Sequence, residues 1–223
     1  MRHKWKELVQ ELSFITKGPT FDALLPPIVF ATANGLLGLN PAVVIALSLG
    51  AVSMVRRVRR GQVWYYAVGG FVAVALAATF AFLTRSPLHF YVPEMISSGL
   101  LLVGSMVSLY IGRPIAALVS HVARGWPLAW FLRPDVKPAY EWVSWVWAMF
   151  FLVRLLIMLF LLRQGDAYDL AWASILLGWP FILLLLVFSF VFGRWQLQKL
   201  GGPGVQEYLE GKKPPWEGQL RGF

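Results

Sequence analysis

Long apolar stretches alternate with short charged segments along the whole of this 223-residue chain. A hydrocarbon core about 30 Å thick needs roughly 20 apolar residues in an α-helix, so stretches near this length predict membrane-spanning helices. The pattern predicts six spans, near residues 21–37, 41–55, 63–83, 95–112, 142–162 and 170–192. The predicted fold class is therefore all-α, a polytopic membrane helix bundle of about six transmembrane helices.

The segments outside these spans divide the chain into three parts. Residues 1–20 are predicted to be a cytoplasmic N-terminal segment, and residues 21–195 the membrane domain. Residues 113–140 lie within that domain as a Pro-rich, basic segment, which predicts a stretch on the cytoplasmic surface. Residues 196–223 are polar and rich in Gly and Pro, so we expect a flexible cytoplasmic tail.

Lys and Arg residues collect in alternate connecting segments. Seventeen of the twenty lie in the N-terminal segment, in the sequence RRVRR, in residues 113–140 and after the sixth span in residues 193–223, and only two lie in the other connections. The positive-inside rule therefore predicts that both termini are cytoplasmic. The count leaves the first two spans open, because two full crossings and a short re-entrant hairpin both keep RRVRR on the side of the N-terminus.

The composition also indicates that lipid surrounds the predicted spans. Apolar residues make up 58% of the chain and charged residues 14%, with a mean hydropathy of +0.63. The net charge of +9 does not indicate a nucleic-acid partner, because the cations sit in short segments between spans instead of sharing one surface. The lipid bilayer is the predicted partner, and other membrane proteins or further copies of the chain are candidates.

Residues suited to enzyme chemistry are sparse. The chain has no Cys, its three His residues lie in different loops, and no His, Asp and Glu group has metal-ligand spacing. We find no nucleophile that can be paired with a base. The sequence therefore predicts a non-enzymatic protein without a cofactor or metal.

One permanently charged side chain, Arg154, lies inside the fifth predicted span, roughly 20 Å from its cytoplasmic end at helical rise. A cation at such a depth costs at least ~2.5 kcal/mol, so Arg154 should face other helices and find an acceptor. Glu94 is the nearest acid by predicted depth, and Asn34 and Asp22 complete a candidate intramembrane polar site. Arg154 either locks helix packing by pairing or lines a polar cavity that receives an anionic group. If Arg154 and Glu94 are partners, exchanging the two residues should restore folding.

Pro26 and Pro27 interrupt the first span. Neither can donate to a carbonyl one turn earlier, so two successive prolines leave at least one carbonyl free. The pair predicts either a kink whose free acceptors, beside Asp22, could hold a proton or cation, or a plain helix start with Asp22 as the N-cap.

Small residues recur every four positions in two spans. Because helices in lipid associate through close backbone approach, this spacing predicts packing faces, although an Ala-rich helix can show it by chance. The predicted positions are Gly69, Ala73, Ala77 and Ala81 in the third span and Gly104, Ser108 and Gly112 in the fourth. The second span is also rich in small residues, including Ala46 and Gly50.

Trp residues mark the predicted inner boundaries of the spans. Indole rings favour the membrane interface, where the ring and its N–H are each accommodated. The predicted anchors are Trp64, Trp126, Trp130, Trp142, Trp145 and Trp195.

The runs SLYIGRPIAALV and RPDVKPAYEWVSWVWAMFFLVRLLIMLFLL carry a family resemblance. The matching positions are Gly112, Arg113 and Pro114 after the fourth span and Tyr140, Trp147, Phe150 and Arg154 on the fifth. Over roughly residues 21–195 the chain resembles a family of uncharacterised bacterial six-span membrane proteins, the domain of unknown function 3159 type. It is more distantly similar to the intracellular septation protein A family.

This resemblance implies a multi-pass protein of the bacterial cytoplasmic (inner) membrane, and for the septation relatives a role in envelope maintenance or division. No catalytic residues come with it. We therefore expect a non-enzymatic protein of uncharacterised role in cell-envelope organisation or division. The alternative is a small-solute transporter or channel with a polar path along Arg154, Glu94, Asn34 and Asp22.

Overall fold

A computed structural model of the chain describes the backbone of residues 19–61 and 63–219, and the side chains of these residues except 19–25, Tyr66 and Trp179. This part of the chain is helical and contains no strand, which confirms the all-α prediction. The helices are α1 (Pro19–Leu37), α2 (Leu39–Arg59), α3 (Trp64–Thr84), a 3-10 helix (Pro87–Tyr91), α4 (Val92–Tyr110), α5 (Ile115–Arg124), α6 (Leu128–Phe131), α7 (Lys137–Gln164), α8 (Ala167–Leu176), α9 (Trp179–Leu200) and α10 (Val205–Leu209).

Five helical stretches among the described residues are long and apolar enough to cross a membrane. They are Leu39–Arg59, Ala67–Thr84, Pro87–Tyr110, Lys137–Gln164 and Ala167–Leu200. The protein is therefore a multi-pass membrane protein. The first predicted span is not among the five, because its described apolar part, Pro26–Leu37, is a shorter helix. The second is longer than the predicted residues 41–55, because helix α2 continues through the basic cluster at its end.

Helix α1 runs through both of its internal prolines, Pro26 and Pro27. The helix begins at Pro19, so Asp22 lies within its first turn, and the prediction of a helix start with Asp22 as N-cap is wrong. The two prolines still leave the carbonyls of Asp22 and Ala23 without a donor one turn later. The side chain of Asp22 lies outside the described part.

The sixth predicted span is two helices instead of one. Helix α8 ends at Leu176 and helix α9 begins at Trp179. A Cβ on Gly178 would lie 2.5 Å from the carbonyl oxygen of Ser174, so this turn requires glycine. Pro180 has no N–H to offer the carbonyl of Leu176, which also favours a break at this point.

The chain divides into two compact units. The first unit comprises residues 1–95 and 157–180. Within it α1 packs on α2, α2 on α3, and α8 on both α1 and the 3-10 helix. Helix α2 has small buried residues at every fourth position, Ala42, Ala46 and Gly50, and Gly50 faces α3. A Cβ on Gly50 would lie 3.3 Å from the ring of Phe71 and 3.4 Å from Val74.

The small residues predicted to pack in α3 and α4 are only partly buried. Gly69, Ala73 and Gly104 are exposed, and a Cβ on either glycine would meet nothing within 4 Å. The packing prediction is therefore wrong for these three within the chain. Ala77 and Ala81 are buried, because the second half of α3 packs against the 3-10 helix whereas its first half leaves this ridge open. Ser108 on α4 is also buried. Gly112 lies in a turn beyond α4 with φ +73°, not in a helix face.

The second unit comprises residues 96–156 and 181–223. Its core is an aromatic cluster that lies mostly outside the spans and joins α5, α6, the start of α7, the end of α9 and α10. The fully buried members are Ala117, Trp130, Phe131, Val136, Ala139, Tyr140, Val143, Leu197 and Val205. Trp130 is therefore a core residue and not an interface anchor, whereas Trp64, Trp142, Trp145 and Trp195 are exposed as anchors require.

Within the second unit, helix α4 has the distribution expected of a helix in lipid. Its buried positions are the polar residues Ser98, Ser105 and Ser108. Its exposed positions are large apolar residues, among them Leu100, Leu101, Val103, Met106 and Val107. In water this arrangement would expose apolar surface and bury hydroxyl groups, so it fits an apolar solvent around the helix.

Candidate functional site

Glu94 and Ser174 form a polar side-chain pair within the spans of the first unit. The Ser174 hydroxyl donates a 2.6 Å hydrogen bond to Oε2 of Glu94. Glu94 lies in the first turn of α4, and Ser174 lies one turn before the break between α8 and α9. Nearby in sequence, the phenol of Tyr91 is buried and makes no hydrogen bond with any described residue. A carboxylate, a hydroxyl and a phenol are thus placed beside an interrupted helix.

The other residues of the predicted polar site lie on helices other than α4 and α8. Asn34 is on α1, which packs on α8 close to Tyr168, where Gly35 leaves no room for a larger side chain. Arg154 is on α7 in the second unit and is only 8% exposed. The predicted pairing of Arg154 with Glu94 stays a prediction, and the side chain of Asp22 is outside the described part.

Buried serines in the second unit connect helices, and the sequence analysis missed this role. Ser144 donates to the Tyr140 carbonyl at 2.8 Å and accepts from the backbone N–H of Ala116 at 3.1 Å, which joins α5 to α7. Ser189 donates to the Leu185 carbonyl at 2.6 Å and accepts from Nε1 of Trp147 at 2.9 Å, which joins α7 to α9. The sequence feature that could have indicated this role is a single polar residue in an otherwise apolar helix, because polar side chains in lipid are favoured at contacts between helices.

The aromatic cluster is built from edge-to-face contacts. The rings of Phe131 and Tyr140 have centroids 5.0 Å apart, as do those of Trp130 and Phe131. Trp126 borders the cluster, and its carbonyl lies 2.5 Å from Nδ1 of His121 at the end of α5. Because such contacts have a preferred geometry, the cluster fixes α5 and α6 on the start of α7.

The C-terminal residues 201–219 fold onto this cluster, and we call them the clasp. Nε1 of Trp130 donates to the Pro203 carbonyl at 2.9 Å, and the N–H of Val205 donates to Oε1 of Gln219 at 3.0 Å. The short helix α10 lies between these two contacts, and Val205 enters the aromatic core. The predicted flexible tail is therefore wrong for these residues, because long-range contacts supply the burial that their own composition lacks.

Glu207 closes the clasp through its carboxylate. It accepts hydrogen bonds from the backbone N–H groups of Gly204 at 2.8 Å, Glu217 at 2.8 Å and Gly218 at 3.1 Å. These bonds favour the ionised form, with Gly204 the largest cause, and they hold the pKa of Glu207 below its ordinary value. One carboxylate thereby fixes both ends of the clasp loop.

Arg133 links the clasp to the segment before α7. It binds Asp135 through Nε at 2.9 Å and Nη2 at 2.7 Å. Its guanidinium lies 5.8 Å from the ring centroid of Tyr208 and 5.5 Å from that of Trp216. The hydrogen bond to Arg133 lowers the pKa of Asp135, and the same bond raises the pKa of Arg133. A charged pair and two rings from the clasp therefore meet at one position.

The family-like residues occupy structural positions in the second unit. Pro114 is buried at the N-terminus of α5, and Tyr140 lies in the aromatic cluster. Trp147 bonds Ser189, and the ring of Phe150 stacks on Phe181 with centroids 5.8 Å apart. Arg113 is exposed beside the Gly112 turn. Among the residues that the structure describes, no group of three or more His, Asp or Glu side chains is placed to hold a metal ion.

Comparison with known proteins gives one match. No curated protein and no solved structure is similar at a significant level. A family model described as "Protein of unknown function (DUF3159)" matches residues 18–199, which include the first four spans, all but the last residue of the fifth, and the aromatic cluster up to Leu197. Because the match covers most of the chain, the protein belongs to this family, whose function is not known.

Proposed function

We propose that this protein is a non-enzymatic component of the bacterial cytoplasmic membrane that organises the cell envelope or takes part in its division. In this proposal both termini are cytoplasmic, and the protein acts through contacts with other membrane proteins or with further copies of itself. The process is the one implied by the predicted distant resemblance of residues 21–195 to the intracellular septation protein A family.

The observation that carries the proposal is the folded surface that the second unit builds outside its spans. Helices α5 and α6 and the clasp share an aromatic core with Trp130 and Tyr140 at its centre. The clasp is fixed at several points, by Trp130, by Glu207 and by Gln219. Such a surface is suited to binding a partner, because its residues are already ordered and binding therefore costs little conformational entropy.

The polar groups inside the second unit support a structural role in the same way. The hydroxyls of Ser144 and Ser189 each donate within their own helix and accept from a neighbouring one. Hydrogen bonds of this kind between helices hold a fixed packing in lipid. They use polar groups for position and do not leave them directed at a solute.

The proposal is tested by deleting the gene and scoring envelope morphology and solute sensitivity together. We expect abnormal cell shape or septum placement, restored by the wild-type protein and by Glu210→Ala, whose side chain pairs only with exposed Lys212 at the surface. Glu207→Ala at equal protein level should restore it poorly, because the clasp loses three hydrogen bonds. Normal morphology in the deletion strain would contradict the proposal.

The second candidate is a small-solute transporter or channel with a polar path around Arg154. It is favoured by the Glu94 and Ser174 pair beside the interrupted helix, because broken helices inside membranes supply free carbonyls and helix ends to a solute. Here the deletion strain should show altered solute sensitivity with normal morphology. Glu94→Gln and Ser174→Ala should each fail to restore that sensitivity, whereas Glu207→Ala should restore it.

A further inference from the structure

Helix α5 presents an uncovered apolar face. Val119 is 61% exposed and Val122 is 83% exposed, and the two are one turn apart on the helix. On the opposite face Ala117 is fully buried in the aromatic core. The helix therefore has one apolar face that the protein covers and another that is left open.

The position of α5 is fixed next to the ends of two membrane spans. It begins at Ile115, five residues after α4 ends at Tyr110. The first turn is bound to α7 through the Ala116 N–H and Ser144, and a Cβ on Gly112 would lie 3.2 Å from Nζ of Lys137. Five residues of chain cannot carry a helix far from the membrane surface, since an extended residue spans at most about 3.6 Å. Tyr110 and Trp142, at the ends of the same spans, are exposed as interface residues are.

The sequence around this face carries charge of one sign. The sequence from Met95 to Pro134 contains no Asp or Glu. The next two acids are engaged, Asp135 by Arg133 at 2.7 Å and Glu141 by Lys137 at 3.2 Å. Arg113 and Arg124 lie exposed at the two ends of α5, and Arg124 stacks over Trp126 at 5.1 Å. The apolar face is thus flanked by two exposed cations, in a stretch of sequence without acidic residues.

We propose that α5 is an interfacial lipid-binding helix that inserts Val119 and Val122 into the membrane surface and gathers anionic phospholipid headgroups at Arg113 and Arg124. Helices with an apolar face and basic flanks bind this boundary through buried apolar area and attraction to anionic lipid. A second copy of the chain is a poorer occupant, because a two-fold contact through this face would bring like charges together. The inference depends on the membrane location and not on a role in envelope organisation.

The chain lacks Cys, so a single thiol can report on this face. Full-length protein carrying Val122→Cys is labelled with an environment-sensitive fluorophore and reconstituted in nanodiscs of phosphatidylcholine mixed with phosphatidylglycerol. Quenching by spin-labelled phosphatidylglycerol is compared with quenching by spin-labelled phosphatidylcholine. We expect the anionic lipid to quench several-fold more strongly, and each of Arg113→Gln and Arg124→Gln to reduce the preference by up to about fivefold, as one interfacial cation allows.

Lys213→Cys, an exposed position on the clasp, is the matched labelling control and should show no preference between the two lipids. Because Arg113 and Arg124 are exposed, their variants should keep the size-exclusion profile of the wild type. Equal quenching by the two lipids at Val122→Cys, or none by either, would overturn the proposal. Quenching that appears only when two copies share a nanodisc would overturn it in favour of self-association.

Discussion

The indole nitrogen of Trp130 donates a 2.9 Å hydrogen bond to the carbonyl oxygen of Pro203, which lies 73 positions further along the chain. Both residues are buried, and the bond joins the segment between α4 and α7 to the clasp. A tail of polar, Gly-rich and Pro-rich sequence is thereby held in one conformation by a partner far away in sequence. The hydrogen-bonded clasp is thus a tertiary feature of the second unit and not a local one.

Replacing Trp130 with Phe should release the clasp while keeping most of the aromatic packing. The Pro203 carbonyl would lose its donor in a buried position, which costs about 1–3 kcal/mol. We expect the free energy of unfolding in detergent to fall by about that amount, and limited proteolysis to cut faster between α9 and the C-terminus. Trp142→Phe, at an exposed ring, should change the stability by less than about 0.5 kcal/mol. Equal effects of the two substitutions would contradict a special role for the bond.

The clasp should open at low pH because of Glu207. Its pKa is held below the ordinary value by backbone N–H donors, so its stabilising contribution is complete above the pKa of the unfolded chain. That contribution is lost as the pH falls through the lowered pKa, because protonation weakens the three hydrogen bonds. The measurement is the alkylation rate of Val205→Cys, a buried position, divided by that of Leu209→Cys, an exposed one. The ratio should rise on acidification.

Glu207→Gln tests whether Glu207 is the group that opens the clasp at low pH. With no carboxylate at this position the ratio should be raised already at neutral pH and should lose most of its acid step. Glu210→Gln removes only a surface ion pair and should keep the wild-type profile. An acid step that persists in Glu207→Gln would point to Asp135, whose pKa is lowered mainly by its hydrogen bond to Arg133.

The spans were predictable because lipid imposes a length and a composition on any helix that crosses it. The predicted residues 142–162 lie within α7, and residues 63–83 nearly match α3. The break in the last span was missed because the apolar pattern continues across Leu177 and Gly178. The structure shows the break between Leu176 and Trp179, where Gly178 comes so close to the Ser174 carbonyl that the turn requires glycine.

The contacts between helices were less predictable than the helices themselves. Spacing of four residues is the same at Gly50 in α2 and at Gly69 in α3, but Gly50 is buried and Gly69 is exposed. The sequence identifies a helix face of small residues, but only the neighbouring helix determines whether that face is packed. The clasp shows the same limit, because the burial of Val205 depends on Trp130 and Phe131, which lie in a distant part of the chain.

Substitutions at these two glycines should therefore differ sharply. Gly50→Leu places a side chain where a Cβ already lies 3.3 Å from Phe71, so α2 and α3 must move apart. We expect a loss of about 1–3 kcal/mol, as for overpacking elsewhere. Gly69→Leu and Gly104→Leu should be tolerated, because nothing lies within 4 Å of either Cβ. Thermal unfolding followed by fluorescence-detected size exclusion measures all three, and equal losses would contradict the packing described for α2.

The bond between Ser174 and Glu94 should contribute a measurable coupling energy in the first unit. Ser174→Ala removes the 2.6 Å donor, and Glu94→Gln removes the charge that strengthens the bond. Because polar contacts between helices in lipid couple by about 0.6 kcal/mol and reach about 1.7 kcal/mol, a double-mutant cycle on unfolding free energies should give a value in that range. Ser48→Ala, at an exposed position on α2, serves as the control and should couple to Glu94→Gln by nearly zero. A zero coupling for Ser174 as well would mean that the hydroxyl contributes nothing to the arrangement of α4 and α8. In that case α8 would be positioned by its packing on α1 and on the 3-10 helix.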